Sequence, residues 1–163
     1  MLVISDTTPL ITLMKIGHLD ILKQLFTTIA IPEAVYYELI GNADYPQEAE
    51  IISTCDFIQI IAVPDRESVK RFQRITGLDL GESEAIIVSD LRNADLLLMD
   101  ELKGRAVAKN MEIKVIGTLG ILQKANEEGL LSATEVEQSM DTMINNKRYI
   151  SKELYNFVLG NLH

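Results

Sequence analysis

Two acidic residues stand where short apolar runs end. Leu2-Val3-Ile4-Ser5 stops on Asp6, and Leu96-Leu97-Leu98-Met99 stops on Asp100. Runs of this kind read as buried strands of a parallel sheet. In open parallel sheets, ligands bind outside the carboxyl ends of the strands, beside the point where strand order reverses. If the two strands are neighbours, the carboxylates face each other there, and their repulsion calls for a cation or a shared proton. A divalent metal site is the chemistry this implies. The plainer alternative for either acid alone is a turn or cap, a role that suits Asp well. The repetition of the pattern favours the metal.

Two glutamates extend the set. In a helix predicted over 32–40, Val35 and Leu39 define the apolar face and Glu38 lies beside it. Its carboxylate either meets a partner or reaches past the stripe to water. Glu82 falls in the first turn of a helix predicted to continue to residue 91, with Asp79 or Gly81 as cap, and shares a stripe with Ala85, Ile86 and Ser89. Acids are also common in first turns for dipole reasons alone. Clustered, Asp6, Glu38, Glu82 and Asp100 would form a hard oxygen donor set suited to Mg²⁺ or Mn²⁺. His18 opens a helix and His163 is the last residue, so neither is placed to help. The single Cys55 allows no internal disulfide and leaves no Cys/His set for zinc.

These residues need elements to position them. Thr8 reads as a helix N-cap with Pro9 in the first helical position, which leaves Asp6 free, and Gly17 ends that helix. A second helix begins near His18, and a strand follows over 28–31. A short helix from Pro46 leads to a strand over 57–63, and a charged helix spans 67–75. The strand over 95–99 feeds a helix over 101–110, in which Gly104 is a weak point. A strand over 113–116 and a Gly117-Thr118 turn precede a helix over 119–128, and helices over 133–145 and 151–162 finish the chain. Strands alternating with helices predict an α/β fold, a parallel five-stranded sheet flanked by helices. One domain over 1–163 is expected, with the helices of 131–163 packed on it.

A chain of 163 residues that is 47% hydrophobic suits one domain with a substantial core. No basic leader precedes the first apolar run, and no run nears the ~18 residues of a membrane span, so the expected protein is soluble and cytoplasmic, with no membrane partner. A net charge of -9 opposes strong non-specific binding to phosphate backbones, without excluding a nucleic-acid substrate drawn to a metal-filled pocket. Basic groups occur at Lys70-Arg71 with Arg74, at Lys103 with Arg105 and Lys109, and at Lys147-Arg148 with Lys152. Each also fits a solvated helix face. A phosphotransferase or receiver-type domain also ends its first strand in Asp. Here Asp6-Thr7-Thr8 lacks the second Asp of a phosphatase motif, and no glycine-rich phosphate loop occurs.

The ordered set of motifs resembles the PIN domain family of metal-dependent nucleases, most of all the small prokaryotic subgroup that begins with SDT-S/T-PLI. The matching residues are Ser5-Asp6-Thr7-Thr8-Pro9-Leu10-Ile11, Pro32-Glu33-Ala34-Val35 leading to Glu38, and Leu78-Asp79-Leu80-Gly81-Glu82-Ser83-Glu84-Ala85-Ile86. Met99-Asp100-Glu101 leading to Gly104-Arg105 and Gly117-Thr118-Leu119-Gly120-Ile121-Leu122 follow, and the likeness runs on to Tyr149-Ile150-Ser151. The resemblance implies hydrolysis of RNA phosphodiesters, with Asp6, Glu38, Glu82 and Asp100 as catalytic and metal-holding acids and Mg²⁺ or Mn²⁺ as cofactor. Thr8, Glu84 and Glu101 are supplementary candidates, and Lys103 and Arg105 are candidates for binding the substrate. Many relatives are toxins of toxin–antitoxin pairs, so an antitoxin protein is an implied partner beside the RNA; a homo-oligomer stays open. Two departures stand out. Many PIN nucleases carry Asp where Glu82 stands, and a Thr or Ser where Met99 stands, so a hydroxyl is missing beside Asp100. A catalytically silent PIN-like module that binds RNA or protein is the alternative reading.

Overall fold

The sheet is built around its first strand. In a computed structural model describing residues 1–163, β1 (Val3–Ser5) pairs in parallel with β2 (Ile29–Pro32) on one side and β4 (Leu96–Leu98) on the other. Beyond these lie β3 (Ile58–Ile61) and β5 (Val115–Ile116), giving the order β3-β2-β1-β4-β5 with every pair parallel. Strand order therefore reverses between β1 and β4, the two strands that end on acids. The architecture is the expected α/β fold, a single sheet flanked by helices.

Side chains alternate across β1 and β4 as strand geometry requires. Val3 and Leu98 enter the larger core, where they meet α1 (Thr7–Lys15), α2 (Ile21–Phe26) and α3 (Glu33–Gly41) through Leu10, Leu22 and Leu39. The same core takes Ile52 of α4 (Pro46–Thr54), Ile121 of α8 (Thr118–Glu127), Met140 of α9 (Ala133–Asn145) and Val158 of α10 (Lys152–Gly160). Ile4 and Leu97 enter the second core with Val69 of α5 (Arg66–Thr76), Ile86 of α6 (Leu80–Leu91) and Ala108 of α7 (Leu102–Asn110). No helix is long and apolar enough to cross a membrane.

Three local expectations are corrected. The first helix starts at Thr7, so Asp6, not Thr8, holds the cap position, and Pro9 is the third helical residue. The Asp6 N–H donates to Leu98 O at 2.9 Å, which keeps the chain in sheet register up to the helix and leaves no intervening loop. Pro9 is tolerated there because the first N–H groups of a helix have no intrahelical acceptor. The second helix begins at Ile21, since His18 to Asp20 form a turn closed by the Ile21 N–H on His18 O. Gly104 is no weak point, because a Cβ there would lie 2.5 Å from the Sδ of fully buried Met99. Its missing side chain lets α7 pack on the end of β4.

Candidate active site

Asp6 leaves the end of β1 and enters a space bounded by α3 and the start of α6. Gly81 leaves room for Glu38 beside it: a Cβ there would crowd Glu38 Oε2 at 3.1 Å, while Asp6 Oδ1, at 3.7 Å, would stay in ordinary contact. Asp6 is 4% exposed, and although it occupies the cap position its carboxylate makes no capping hydrogen bond. Burial pushes its pKa up from 3.8 to about 7; the Thr7 backbone N–H offsets part of this, and the charges of Asp79, Glu82 and Glu38 add to it. Glu82 is likewise raised, first by burial, with the Asp79 backbone N–H acting against it and the charges of Asp79, Glu101 and Glu38 acting with it. The chain's three salt bridges, Lys23–Asp56, Lys70–Glu67 and Lys124–Glu128, all lie elsewhere. No Lys or Arg neutralises these acids.

The other candidates have distinct local partners. Glu38 is largely exposed, yet its Oε2 accepts from Thr7 Oγ1 at 2.9 Å. Thr7, rather than Thr8, is therefore the hydroxyl that touches the acid group; Thr8 lines the neighbouring cleft. Asp79 and Glu82 form a capping box on α6, with the Glu82 N–H donating to Asp79 Oδ1 at 2.8 Å and the Asp79 N–H to Glu82 Oε2 at 3.0 Å. Glu101 caps α7 by accepting from the Gly104 N–H at 2.6 Å. Buried Glu84 accepts from the Ala34 N–H at 2.9 Å, so it closes the otherwise unpaired start of α3 and does not line the cleft.

Asp100 is placed differently from Asp6. Both of its oxygens are engaged by Thr118, whose N–H donates to Oδ1 at 2.6 Å and whose hydroxyl donates to Oδ2 at 2.7 Å. Thr118 is the first residue of α8, one earlier than the sequence pattern predicts, so its N–H has no intrahelical acceptor and is free for Asp100. The hydroxyl that Met99 does not supply thus comes from another element. Gly117 must be bare for this geometry, since a Cβ would meet Asp100 Oδ1 and Arg105 Nη1, each at 2.7 Å. Arg105 donates from Nη1 to Met99 O at 3.0 Å. Lys103 is not on the cleft: its Nζ lies over Gly77, 2.8 Å from where a Cβ would stand.

Thr8, Glu82, Asp100, Glu101 and Arg105 share the wall of one cleft of about 790 Å³. The donor chemistry fits a hard divalent cation, with Asp6 and Glu82 in a shared negative field. As the side chains stand, no three acidic, His or Cys groups converge to hold a metal. Mg²⁺ does not require that, for it is commonly bound through one or two carboxylates and keeps several waters. Sequence patterning did not reveal Thr7, Asp79 or Thr118 as contributors to the site. The Leu78-Asp79-Leu80-Gly81-Glu82 signal offers Asp79 or Gly81 as a cap, and carries no information about the field of Asp79 on Asp6.

The class defined by this fold and this acid-lined strand end is matched by family comparison. The DUF3368 family model, described as a PIN domain, matches residues 2–163, so the chain belongs to that PIN-domain family. PIN domains are generally nucleases, typically use divalent metal ions and generally bind RNA. Among solved structures, the crystal structure of PAE2754 from Pyrobaculum aerophilum is similar, with a TM-score of 0.58 at 15% identity over 74% of this chain and 91% of that chain. At that identity the likeness shows the fold alone. No curated protein matches the sequence.

Proposed function

We propose that this PIN domain is a metal-dependent endoribonuclease that hydrolyses RNA phosphodiesters at the acids between β1 and β4. The observation that carries the reading is the buried carboxylate of Asp6, surrounded by Glu38, Asp79 and Glu82 with no protein cation to offset them. Asp6 and Asp100 would hold Mg²⁺ or Mn²⁺, with Glu82 and Glu38 completing or orienting the set. Such an ion supplies an activated water and neutralises charge that develops on phosphate oxygens. Thr7 orients Glu38, Thr118 orients Asp100, and Arg105 presents its remaining N–H groups toward a phosphate. A toxin role with a small antitoxin partner follows from the family resemblance only. A silent RNA- or protein-binding module is the second reading, favoured by the hold of Thr118 on Asp100 and by the lack of three converging acids.

Purified protein incubated with a labelled mixed RNA pool in EDTA, Mg²⁺ or Mn²⁺ separates the two. The nuclease should cut only with metal, and the metal should raise its unfolding midpoint, because a ligand that binds only the folded state stabilises it. Neither effect is expected of the silent module. A second expected result concerns Thr118. Groups that orient a metal ligand are typically worth ten- to a hundredfold in affinity or rate. Thr118→Val should lower kcat/KM and Mn²⁺ affinity by about that factor, and Thr118→Ser should retain both. Unchanged values in Thr118→Val would reduce the pair of bonds to a helix cap.

A further inference from the structure

The cleft that Asp100 and Glu82 enter extends well past the acids. Its far end is formed by α8, α10 and the link between α9 and α10, with Leu119, Gln123, Arg148, Tyr149, Ile150 and Leu154 among its walls. Three side chains there make no hydrogen bond or salt bridge. Tyr149 leaves its ring in water, 91% exposed. Arg148 is half-buried and forms no salt bridge, in a chain with 24 acidic residues. Gln123 is also half-buried. The side-chain hydrogen bonds of the cleft belong to Glu82, Asp100, Glu101, Arg105 and Ser151, so the amide of Gln123 and the guanidinium of Arg148 keep their donors free.

An apolar trough with a free amide, a free guanidinium and an exposed aromatic lip fits a nucleobase better than it fits a phosphate alone. Bases of single-stranded RNA are recognised by stacking on aromatic rings and by hydrogen bonds along their edges. An amide offers both a donor and an acceptor for such an edge. A guanidinium binds phosphate or stacks on a ring. The size of the cleft, about 790 Å³, is that of a small-ligand site, whereas bases inside a duplex are not free to enter it.

We infer that the α9–α10 end of the cleft is a nucleobase subsite, in which Tyr149 stacks on a base next to the scissile phosphate, Gln123 reads its edge and Arg148 holds the adjoining phosphate. The inference rests on the proposed RNA substrate. It places base reading on Gln123 of α8 and stacking on the α9–α10 link, at the end of the cleft beyond the acids that would perform the cleavage.

The test is the equilibrium affinity of the full chain for a short labelled single-stranded RNA of mixed sequence, read by fluorescence anisotropy in EDTA so that nothing is cut. Tyr149→Ala should weaken binding by roughly ten- to a hundredfold, the range that one aromatic–base stack supplies. Tyr149→Phe, which keeps the ring, should stay within about twofold of wild type, and a matched duplex should bind far more weakly than the single strand. Gln123→Ala should flatten any preference among homopolymeric single strands. Equal affinity of Tyr149→Ala and wild type, equal affinity for duplex and single strand, or no binding by the wild type would each overturn the subsite. The outcomes for the two proposals are separable: metal-dependent cutting without a Tyr149 effect removes the subsite alone, and a Tyr149 effect without cutting removes the nuclease alone.

Discussion

Asp6→Asn should yield a folded protein that no longer cuts RNA in Mg²⁺ or Mn²⁺. The expected loss is roughly a thousandfold or more, since the charge stabilisation a metal supplies is worth several kcal/mol and each 1.36 kcal/mol is a factor of ten in rate. Asp6 carries this expectation because it is buried at the strand end, lies among acids and has no counter-charge. An amide in its place keeps the shape and the neighbouring backbone contacts but removes the charge that would hold the ion. Initial rates on one labelled RNA, with circular dichroism of the variant as a folding control, are the measurement. A rate within about tenfold of wild type would remove Asp6 from the mechanism.

The same substitution should stabilise the metal-free protein, and Asp100→Asn should not. The pKa of Asp6 stands at about 7 in the folded chain against 3.8 ordinarily, so between those values the folded state holds a proton that the unfolded state has released. Stability is then fully present below about pH 4, falls as pH rises through the window and is lowest above about pH 7. Glu82, also raised by burial, slopes the same way. Asp6→Asn removes that loss, worth about 2–4 kcal/mol at pH 8, and the difference between variant and wild type should close near pH 4. Asp100 instead accepts two short hydrogen bonds from Thr118, so its substitution should cost about 1.5–3 kcal/mol. Urea unfolding in EDTA at the two pH values checks both signs. Added Mn²⁺ should restore the stability of the wild type at pH 8 and leave Asp6→Asn unmoved. Equal effects of the two substitutions would contradict the different environments of these acids.

The contrast between Asp6 and Asp100 shows how far the sequence reaches. Both end an apolar run, and local pattern presents them as equivalents. Short runs of Leu, Ile and Val closed by an acid are readable because strand burial and strand length are local properties, so the five strands, their alternation with helices and the position of both acids could be inferred from the chain. Capping chemistry is local too, which is why Asp79, beside Gly81, could be read as the start of α6. The helix start at Thr7 is not legible locally, because the Asp6 N–H before it is held by Leu98 O, on a strand far away in the chain.

What each acid experiences was decided by packing alone. Whether a carboxylate is stressed or satisfied depends on which groups from other elements arrive within hydrogen-bonding distance, and residue type and spacing do not encode that. Thr118 reaches Asp100 from 18 residues away, Thr7 reaches Glu38 across 31, and Ala34 claims Glu84 across 50. Gly81 and Gly117 matter only because α6 and α8 press their backbones against carboxylates. The α/β fold, the family and the residues that could bear charge at the strand ends all follow from local pattern along the chain. Packing through space buries Asp6 without a counter-charge, lets Thr118 hold Asp100, and gathers Gln123, Arg148 and Tyr149 in one cleft. The reason is that solvation and charge–charge energies depend on distances through space, and only the folded chain sets those distances.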